Sequence, residues 1–558
     1  MLRLTGAELT IRLLENQGVT CIAGIPGGFN LPLYDALGRS GNIRHVLARH
    51  EQGAGFIAQG MARVSGRPGV VFATSGPGAT NTLTALADAR MDSVPLVCIT
   101  GQVPQSMIGT DAFQEVDIYG MSIPATKHNF LVRSPEELPH VIAEAFSIAV
   151  SDRPGPVLVD IPRDVQVAPI EIDCLPDPGV AKPMPTPDSA SLARAAELLN
   201  AAERPLLLLG GGTSSPEAAA AVLEFMEQQR IPAVMSLRGL GVVPHGHDLA
   251  VGMLGMHGAR ASNMLVEECD VLMVVGARLG DRATGRLDSF CPKSGLIHID
   301  IDASEVGKLR MPQVGLTADA AQALRALMPL VKPRERGAWL ARVDARKAAH
   351  GLRFEREDDI LSPYGIIRHV AKLLDDNAVI ATDVGQHQMR VAQAYPMSRP
   401  RQWLTSGGLG TMGFGLPAAI GAALERRGGV AVCFTGDGSL LMNIQEMATA
   451  AETGANVKII LCNNNGLGLV QQQQDLFFDG RITASAYTTR TDFVQIAKGF
   501  GLPAARLTRG KDPQRVLKEF LGKPGPCLIE VQVRAEDKVF PMVPPGAANS
   551  QMIEGIPS

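Results

Sequence analysis

Hydrophobic residues along the chain form short uninterrupted runs that alternate with helical patterns of spaced hydrophobic and polar residues. In the first 165 residues such runs lie in "IRHVLA", "GVVFATSGPG", "VPLVCITG" and "GPVLVDIP". Short apolar runs that end in Gly, Ser or Pro are typical of parallel strands buried on both faces. Their alternation with helices, such as those predicted from Glu51 and over 80–90, indicates an open α/β sheet.

The same alternation returns twice, after two segments that are predicted to be linkers. Residues 170–190 hold five prolines, and residues 332–359 are rich in charge. Both compositions are typical of connections between folded units. We therefore predict an α/β fold with three doubly wound parallel-sheet domains at 1–168, 190–332 and 360–535, followed by a tail at 536–558.

The composition favours a large self-associating enzyme and gives no case for a polyanionic partner. A chain of 558 residues is too long for one hydrophobic core. Charged residues make up 19% of it, against a usual share of about 25%. The net charge of -4 offers no electrostatic reason to bind nucleic acid or an anionic membrane.

The cysteines and the apolar segments predict a cytoplasmic location. The 8 cysteines form no CxxC pair, which is typical of free thiols in a reducing compartment. The uncharged segment 404–424 is dense in Gly and holds a Pro, unlike a membrane span. The first residues form an amphipathic pattern with charges throughout, without the apolar centre of a secretory signal.

The strongest local motif lies in the third domain, where "GDGS" ends one predicted strand and "NN" ends the next. Asp437 and Asn464 are separated by about one β-α-β crossover, so both are expected at the same carboxyl edge of the sheet, where ligands bind. A carboxylate and an amide oxygen suit Mg²⁺ shared with phosphate oxygens. The alternative is an ordinary turn followed by a helix cap.

Glu51 lies at a predicted strand-to-helix corner, in "ARHEQGAGF". Taken alone, an acid in a first helical turn is explained by its favourable interaction with the helix dipole. The small residues Gly53, Ala54 and Gly55 that follow would let another surface approach the helix backbone.

These motifs resemble those of thiamine-diphosphate enzymes, with "GDGS…NN" as the diphosphate anchor and "ARHEQGAGFIAQGMAR" as the stretch with the activating glutamate. Longer stretches are similar to the catalytic subunits of the acetohydroxyacid synthase (acetolactate synthase) family, closest to bacterial isozyme I. They include "TSGPGATN", "TGQVPQSMIGTDAFQE", "TKHNFLV", "LGMHG", "DVGQHQM", "TSGGLGTMGFGLPAAIGAA" and "FPMVPPGAAN".

The resemblance implies that the first domain binds the aminopyrimidine, the middle domain FAD, and the third domain the diphosphate with Mg²⁺. Pyruvate would be decarboxylated on the cofactor, and the hydroxyethyl carbanion would add to a second pyruvate or to 2-oxobutyrate. The products, 2-acetolactate and 2-aceto-2-hydroxybutyrate, begin branched-chain amino acid biosynthesis. The implied assembly is a homodimer or homotetramer with active sites at the interface, and a small ACT-domain regulatory subunit is a possible partner.

Site residues are implied by the family one position at a time. Glu51 would hydrogen-bond the aminopyrimidine, Met412 would hold the cofactor bent, and Gln114 and Lys127 would lie near the partner's cofactor. Arg282 would receive the carboxylate of the second keto acid, a task that suits bidentate pairing. The other thiamine-diphosphate contacts would be Gln386, His387, Gly410, Thr411, Asp437, Gly438, Ser439, Asn464, Gly466, Leu467, Gly468 and Leu469. The Mg²⁺ ligands would be Asp437, Asn464 and the Gly466 carbonyl.

Implied FAD contacts lie at strand ends of the middle domain. They are Arg153, Gly210, Gly211, Gly212, Leu254, Gly255, Met256, His257, Gly276, Ala277, Arg278, Asp300, Ile301 and Asp319. Without the family, the glycine clusters are equally explained by tight helix–sheet packing.

Two departures from the family pattern affect these expectations. Leu279 and Gly280 replace an aromatic residue and an acid beside Arg278, so the FAD contacts there differ. Gln473 replaces the Trp that favours 2-oxobutyrate in most relatives, so we predict only a weak preference for 2-oxobutyrate over pyruvate.

Two rival functions remain open at this point. One is another reaction on the same scaffold, a simple 2-keto acid decarboxylase or a pyruvate oxidase. The other is a catalytically silent cofactor-binding subunit, which would have lost Glu51 or the metal pair, and both are present. Glyoxylate carboligase is disfavoured because that relative lacks the glutamate.

Overall fold

The computed structural model of the protein describes residues 2–426 and 428–555. Within these ranges the strands form three six-stranded parallel sheets and one two-stranded antiparallel sheet. The three parallel sheets, each flanked by helices, confirm the predicted α/β fold class. None of the helices in the described ranges has the length and apolar character needed to span a bilayer.

The first domain has its parallel sheet in the order β3-β2-β4-β5-β7-β6, and β1 pairs with β8. The helix predicted over 80–90 is divided in two at Thr82 and begins earlier, with Pro77 in its first turn. The strands are β1 (Leu2–Thr5), β2 (Cys21–Gly24), β3 (Arg44–Leu47), β4 (Gly69–Ala73), β5 (Leu96–Gln102), β6 (His128–Leu131), β7 (Pro156–Pro162) and β8 (Pro169–Ile172). The helices are α1 (Gly6–Asn16), α2 (Leu31–Ser40), α3 (Glu51–Ser65), α4 (Pro77–Asn81), α5 (Leu83–Asp92), α6 (Ile118–Ser122), α7 (Leu138–Val150) and α8 (Arg163–Val167).

The middle domain has the sheet order β11-β10-β9-β12-β13-β14, and β9 and β12 at its centre are buried throughout. Its strands are β9 (Pro205–Leu209), β10 (Ala233–Met235), β11 (Ala250–Met253), β12 (Val271–Val275), β13 (Gly295–Asp300) and β14 (Val314–Thr317). Its helices are α9 (Ser189–Ala201), α10 (Pro216–Gln229), α11 (Arg260–Glu268), α12 (Asp281–Thr284), α13 (Ala320–Leu327) and α14 (Gly337–His350).

Helix α14 corrects the prediction of a linker at 332–359. It buries Trp339 and Val343 against the middle domain, and the Trp339 indole donates to the Pro205 carbonyl at 3.0 Å. Composition alone indicated a linker because the charged residues lie on the exposed face of this helix. Two of them, Arg342 and Arg346, pair with Glu268 of α11.

The third domain has the parallel sheet order β16-β15-β17-β18-β20-β19. The chain adds β16 on one side of β15 and β17 on the other, so the topological switch point lies between β15 and β17. Its strands are β15 (Val379–Thr382), β16 (Trp403–Leu404), β17 (Ala431–Gly436), β18 (Val457–Asn463), β19 (Ala504–Arg506) and β20 (Cys527–Gln532). Its helices are α15 (Pro363–Leu373), α16 (Gln386–Ala394), α17 (Gly415–Glu425), α18 (Asp437–Leu440), α19 (Glu446–Thr453), α20 (Gly468–Phe477), α21 (Phe493–Gly499) and α22 (Pro513–Gly522).

The first and third domains pack through α3 and α17, whose backbones nearly touch. A Cβ atom on Gly60 would lie 2.1 Å from the Ala418 carbonyl oxygen, and one on Gly421 would lie 1.9 Å from that of Ile57. Any side chain at these glycines would separate the helices. This close packing sets α3, which begins at Glu51, firmly against the third domain.

Candidate active site

The GDGS and NN motifs meet at one edge of the third sheet, as their spacing predicts. Asp437 follows β17 and Asn464 follows the neighbouring parallel strand β18. The carboxylate Oδ2 of Asp437 accepts a hydrogen bond from the backbone N–H of Gly466 at 2.9 Å. Since the sheet order reverses between β15 and β17, this edge is the crevice in which doubly wound sheets bind ligands.

The Asp437 carboxylate, the Asn464 side-chain amide and the Gly466 carbonyl converge on one point. One terminal atom of the Asn464 amide lies 2.9 Å from the Gly466 carbonyl oxygen and 3.1 Å from Asp437 Oδ1. In the absence of a cation, the amide nitrogen at this position would turn both contacts into hydrogen bonds. A hard divalent cation binds the set when the amide oxygen takes this position.

Burial dominates the electrostatics of Asp437. It raises the pKa of the carboxyl group to about 6, while hydrogen bonds from the backbone of Gly466 and Gly438 work in the opposite direction. The buried hydroxyl of Ser439 donates to the Val384 carbonyl at 2.8 Å.

Two glycines at this edge, Gly438 and Gly468, have no room for a side chain. A Cβ atom on Gly438 would lie 2.5 Å from Leu467 Cδ2 and 3.6 Å from Met412 Cε, and one on Gly468 would lie 2.3 Å from Asn464 Nδ2. Met412, Gly438, Leu467 and Gly468 are therefore brought together, as predicted. Leu469 is half-buried in the first turn of α20.

Gln386 and His387 begin α16 next to the same edge. The Gln386 amide donates to Gln472 Oε1 at 2.9 Å. His387 Nε2 is buried and has no hydrogen-bond partner among the described residues, and burial lowers the pKa of the ring to about 3. A neutral imidazole with one unsatisfied nitrogen is suited to a ligand hydrogen bond.

Glu51 begins α3 at the corner predicted from the sequence. The His50 ring caps the helix through Nδ1, which accepts from the Gln52 N–H at 3.1 Å. Glu51 is half-buried, and its Oε2 accepts a hydrogen bond from Asn81 Nδ2 at 2.9 Å. Asn81, on α4, thereby orients the carboxylate.

Gln114 and Lys127 lie in different surroundings from one another. Gln114 has a left-handed backbone, with φ 61°, and packs against Gly76 in the turn before α4. The Lys127 ammonium instead donates to the carbonyls of Ile148 and Ser151 at the end of α7, at 2.6 and 2.5 Å. Burial lowers the pKa of Lys127 to about 8.

The glycines of the middle domain pack against each other at the switch point between β9 and β12. A Cβ atom on Gly210 would lie 2.1 Å from the Gly276 carbonyl oxygen, and one on Gly212 would lie 2.8 Å from Gly276 Cα. Tight backbone packing therefore explains these three glycines without a ligand. Gly211 lies against Arg238, and Ala277 is buried beside Gly210.

Charged residues predicted for FAD lie at the same edge of the middle sheet. Asp300 ends β13 and is buried, and its carboxylate accepts from the Asp302 N–H at 3.0 Å. Arg278 is half-buried and has no hydrogen bond or ion pair within the described ranges, which suits it to an anionic group. Arg153 pairs with Asp302 and Glu305, at 3.3 and 2.9 Å. Ile301 is half-buried beside Asp300.

The two departures beside Arg278 have simple structural consequences. Leu279 is buried in the core of the middle domain with Leu254 and Phe290, and a Cβ atom on Gly280 would meet open space. Asp319 caps α13, where its carboxylate accepts from the Gln322 N–H at 3.0 Å.

Arg282 lies beside the C-terminal tail. It lines a cavity of about 70 Å³ with Met256, Asn549 and tail residues 543–546. Its guanidinium pairs with Asp281 at 2.6 Å. The tail is fixed above Leu254–His257, since His257 Nδ1 lies 2.9 Å from the Pro541 carbonyl and the Val543 N–H donates to the Met256 carbonyl at 2.8 Å.

Known proteins match the chain over nearly its whole length. Residues 4–121 match the N-terminal TPP binding domain of thiamine pyrophosphate enzymes, residues 192–327 the central domain, and residues 383–531 the C-terminal TPP binding domain. The chain is 56% identical over 551 residues to the acetolactate synthase isozyme 1 large subunit of Escherichia coli (strain K12), covering 99% of this chain and 98% of that protein.

The chain belongs to the acetolactate synthase family. It is also 44% identical over 552 residues to the isozyme 2 large subunit of the same organism, covering 99% of this chain and 100% of that protein. The chloroplastic acetolactate synthase of Arabidopsis thaliana is 42% identical over 568 residues, covering 98% and 84%.

Several residues around the site carry no motif that would identify them from the sequence. The buried acids Asp88 and Asp383 bind either side of Met412, through Thr411 and Gly413. Gln472 exchanges two hydrogen bonds with Val539 of the tail, both at 2.9 Å. An acid directly after an apolar strand is a usable signal, as at Asp383 after β15, but its partner is far along the chain.

Proposed function

We propose that the chain is the catalytic subunit of an acetolactate synthase, which joins two pyruvate molecules with loss of one CO₂ to give 2-acetolactate. With 2-oxobutyrate as the second substrate it gives 2-aceto-2-hydroxybutyrate. The reaction is the first common step of branched-chain amino acid biosynthesis. The observation that carries the proposal is the convergence of the Asp437 carboxylate, the Asn464 amide and the Gly466 carbonyl at the ligand-binding edge of the third sheet.

The residues at this edge fit Mg²⁺ and a diphosphate. Asp437, Asn464 and the Gly466 carbonyl would hold the cation, and the buried Nε2 of His387 offers a free hydrogen-bonding atom. When bound, thiamine diphosphate supplies a carbon nucleophile that adds to a keto group and stabilises the charge left after CO₂ departs.

Glu51 would share a proton with the ring nitrogen of the aminopyrimidine. Asn81 holds Oε2, so that Oε1 stays available for that contact. Met412 would support the bent form of the cofactor, and Gln114 and Lys127 would lie near the cofactor of a second copy.

The middle domain would hold FAD through Arg278 and Asp300. The unpaired guanidinium of Arg278 suits a pyrophosphate, and a carboxylate such as Asp300 at a strand end suits a ribose hydroxyl. Gly210, Gly212 and Gly276, which pack against each other, would fix the backbone at this edge of the middle sheet and would not themselves contact the ligand. Arg282 would leave Asp281 to receive the carboxylate of the second keto acid.

The assembly would be a homodimer or homotetramer. The side chain of Phe113 beside Gln114 is 81% exposed, and Met107 and Met121, nearby in the sequence, are also exposed, as expected of a segment that another copy covers. Because the E. coli relatives are named large subunits, a small ACT-domain regulatory subunit is the expected further partner. We expect the protein in the cytoplasm, with the domain limits predicted above except that the middle domain extends through α14.

A product assay tests this function against its rivals. The purified chain is supplied with pyruvate, thiamine diphosphate, Mg²⁺ and FAD, and each cofactor is omitted in turn. We expect 2-acetolactate, and no product without thiamine diphosphate or Mg²⁺. Acetaldehyde or acetyl phosphate as the main product would identify a decarboxylase or an oxidase, and no product at all would identify a silent subunit.

A further inference from the structure

A buried acid of the third domain lies against the corner that carries Glu51. Glu446, the first residue of α19, is 0% exposed. Its Oε1 accepts a hydrogen bond from the backbone N–H of Arg49 at 3.0 Å, and its Oε2 accepts one from the hydroxyl of Thr449 at 2.6 Å. The carboxylate therefore spans from its own helix to the first domain.

Gly53 is the residue that makes room for this carboxylate. A Cβ atom on Gly53 would lie 2.4 Å from Glu446 Oε1 and 2.7 Å from its Cδ, closer than any side chain tolerates. The acid thus lies on the first turn of α3, where free backbone N–H groups favour negative charge. Burial raises the pKa of Glu446, while hydrogen bonds from Thr449 and from the backbone of Arg49 and His50 counteract the increase.

Glu446 holds the backbone on both sides of Glu51. Arg49, two residues before, donates to the carboxylate, and Gly53, two residues after, packs against it. We propose that Glu446 is a positioning residue for Glu51, fixing the strand-to-helix corner from which Glu51 reaches the aminopyrimidine. This inference rests on the proposed function.

Other contacts hold the two domains together, so Glu446 is not needed for docking alone. Helices α3 and α17 pack backbone to backbone, and Arg67 pairs with Glu425 at 2.8 Å. Glu452, on the same helix as Glu446, pairs with the Arg49 side chain at the surface and leaves the backbone of the corner untouched. Glu452→Gln is therefore a matched control.

The experiment compares Glu446→Ala, Glu446→Gln and Glu452→Gln in the wild-type and Glu51→Gln backgrounds of the full chain. Exchange of the C2 proton of bound thiamine diphosphate with D₂O is measured by NMR, together with kcat, KM for pyruvate and the thermal unfolding temperature. Exchange at C2 needs Glu51 but no substrate, so it reports on the corner independently of product formation.

We expect Glu446→Ala to slow exchange and kcat by about tenfold or more, since a small misplacement of a reacting group has such effects, and to leave KM within about twofold. In the Glu51→Gln background, Glu446→Ala should lower the exchange rate and kcat by less than about twofold, because the Glu51 carboxyl group through which Glu446 acts is absent. Glu446→Gln keeps an oxygen for the Arg49 N–H and should restore most of the rate. Glu452→Gln should match the wild type.

Equal losses in both backgrounds, or no loss in either, would overturn the proposal. If Glu446→Ala does not fold, Thr449→Val, which releases Oε2 of Glu446 and also removes the 3.4 Å contact of the hydroxyl with the Leu47 carbonyl, should give a smaller loss with the same dependence on Glu51. Failure of the proposed function itself has a different signature, because Glu51→Gln would then leave C2 exchange unchanged.

Discussion

The hydroxyl of Thr411 in the third domain donates to Asp88 of the first domain, with Oγ1 and Oδ2 3.0 Å apart. On the other side of Met412, the Gly413 N–H donates to the Asp383 carboxylate at 2.7 Å. Met412 therefore lies between two residues that are each anchored to a different buried acid. These two hydrogen bonds fix the chain on both sides of the residue expected to support the cofactor.

Thr411→Val should weaken thiamine-diphosphate binding. The change removes one of the hydrogen bonds that the Asp88 carboxylate accepts, and a hydrogen bond to a charged group contributes about 1.5 to 3 kcal/mol. It also removes the contact that holds the backbone beside Met412 in place. We expect the dissociation constant, measured by fluorescence titration, to rise by about tenfold. Thr317→Val, at an exposed site of the middle sheet, is the control, and equal affinity in the two variants would contradict the anchoring role.

Asp437→Ala and Asn464→Ala should each abolish measurable binding of Mg²⁺ with thiamine diphosphate. Each removes one of the three converging oxygens, and a small cation tolerates such losses poorly. Calorimetric titration of the cofactor in the presence of Mg²⁺ measures the effect. The exposed Glu519→Ala on α22 serves for comparison, and retained binding in both site variants would rule out this edge as the metal site.

Glu51→Gln should keep thiamine-diphosphate affinity within about threefold and reduce kcat by about 100-fold or more, since proton sharing by a positioned acid contributes about that much. The Asn81 contact survives because the amide still presents an oxygen. Steady-state turnover and cofactor titration are measured on the same preparation. Unchanged turnover would refute the assigned role.

Gln473→Trp should increase the preference for 2-oxobutyrate over pyruvate as the acceptor. Gln473 is half-buried on α20, next to the buried Gln472, and a larger apolar side chain there would favour the extra methyl group by about 1 to 3 kcal/mol. Both acceptors are supplied together and the two products quantified. A strong bias toward 2-aceto-2-hydroxybutyrate in the wild type would contradict the prediction.

The free energy of unfolding should fall between about pH 4 and pH 7 through Asp160. Burial raises the pKa of this fully buried carboxyl to about 7 from 3.8, so the folded state binds a proton more tightly than the unfolded state. Stability from this group is present at low pH and lost as pH rises through the folded pKa.

Asp160→Asn removes this titration and should stabilise the protein more at about pH 8 than at about pH 5, as measured by thermal unfolding. Asp173→Asn, at an exposed position of the same domain, should show no such difference. A constant difference between Asp160→Asn and wild type across the range would show that Asp160 keeps its charge state.

The sequence predicts which residues lie close together when a single β-α-β unit connects them. Asp437 and Asn464 meet because adjacent parallel strands end at one edge, and Glu51 begins α3 because the corner and its cap are local. The three-sheet fold followed from the same local periodicity. Composition failed at 332–359, where the charges line the outer face of α14 while Trp339 and Val343 are buried.

Contacts between distant segments were beyond the reach of local patterns. The small residues after Glu51 did predict an approaching surface, but nothing in the sequence identified it as Glu446, almost 400 residues away. The middle-domain glycines show the opposite case, in which a motif suggestive of a ligand is explained by backbone packing.

Asp92 accepts hydrogen bonds from all three domains at once. Its carboxylate binds Arg63 of the first domain at 2.9 Å, Arg238 of the middle domain at 3.4 Å, and the Gly407 and Gly408 N–H groups of the third domain at 3.0 and 2.8 Å. Chimeras that exchange one whole domain with a distant homologue must therefore inherit a matching set at this junction. A domain exchanged without its partner in this set would leave the buried carboxylate of Asp92 with fewer hydrogen bonds.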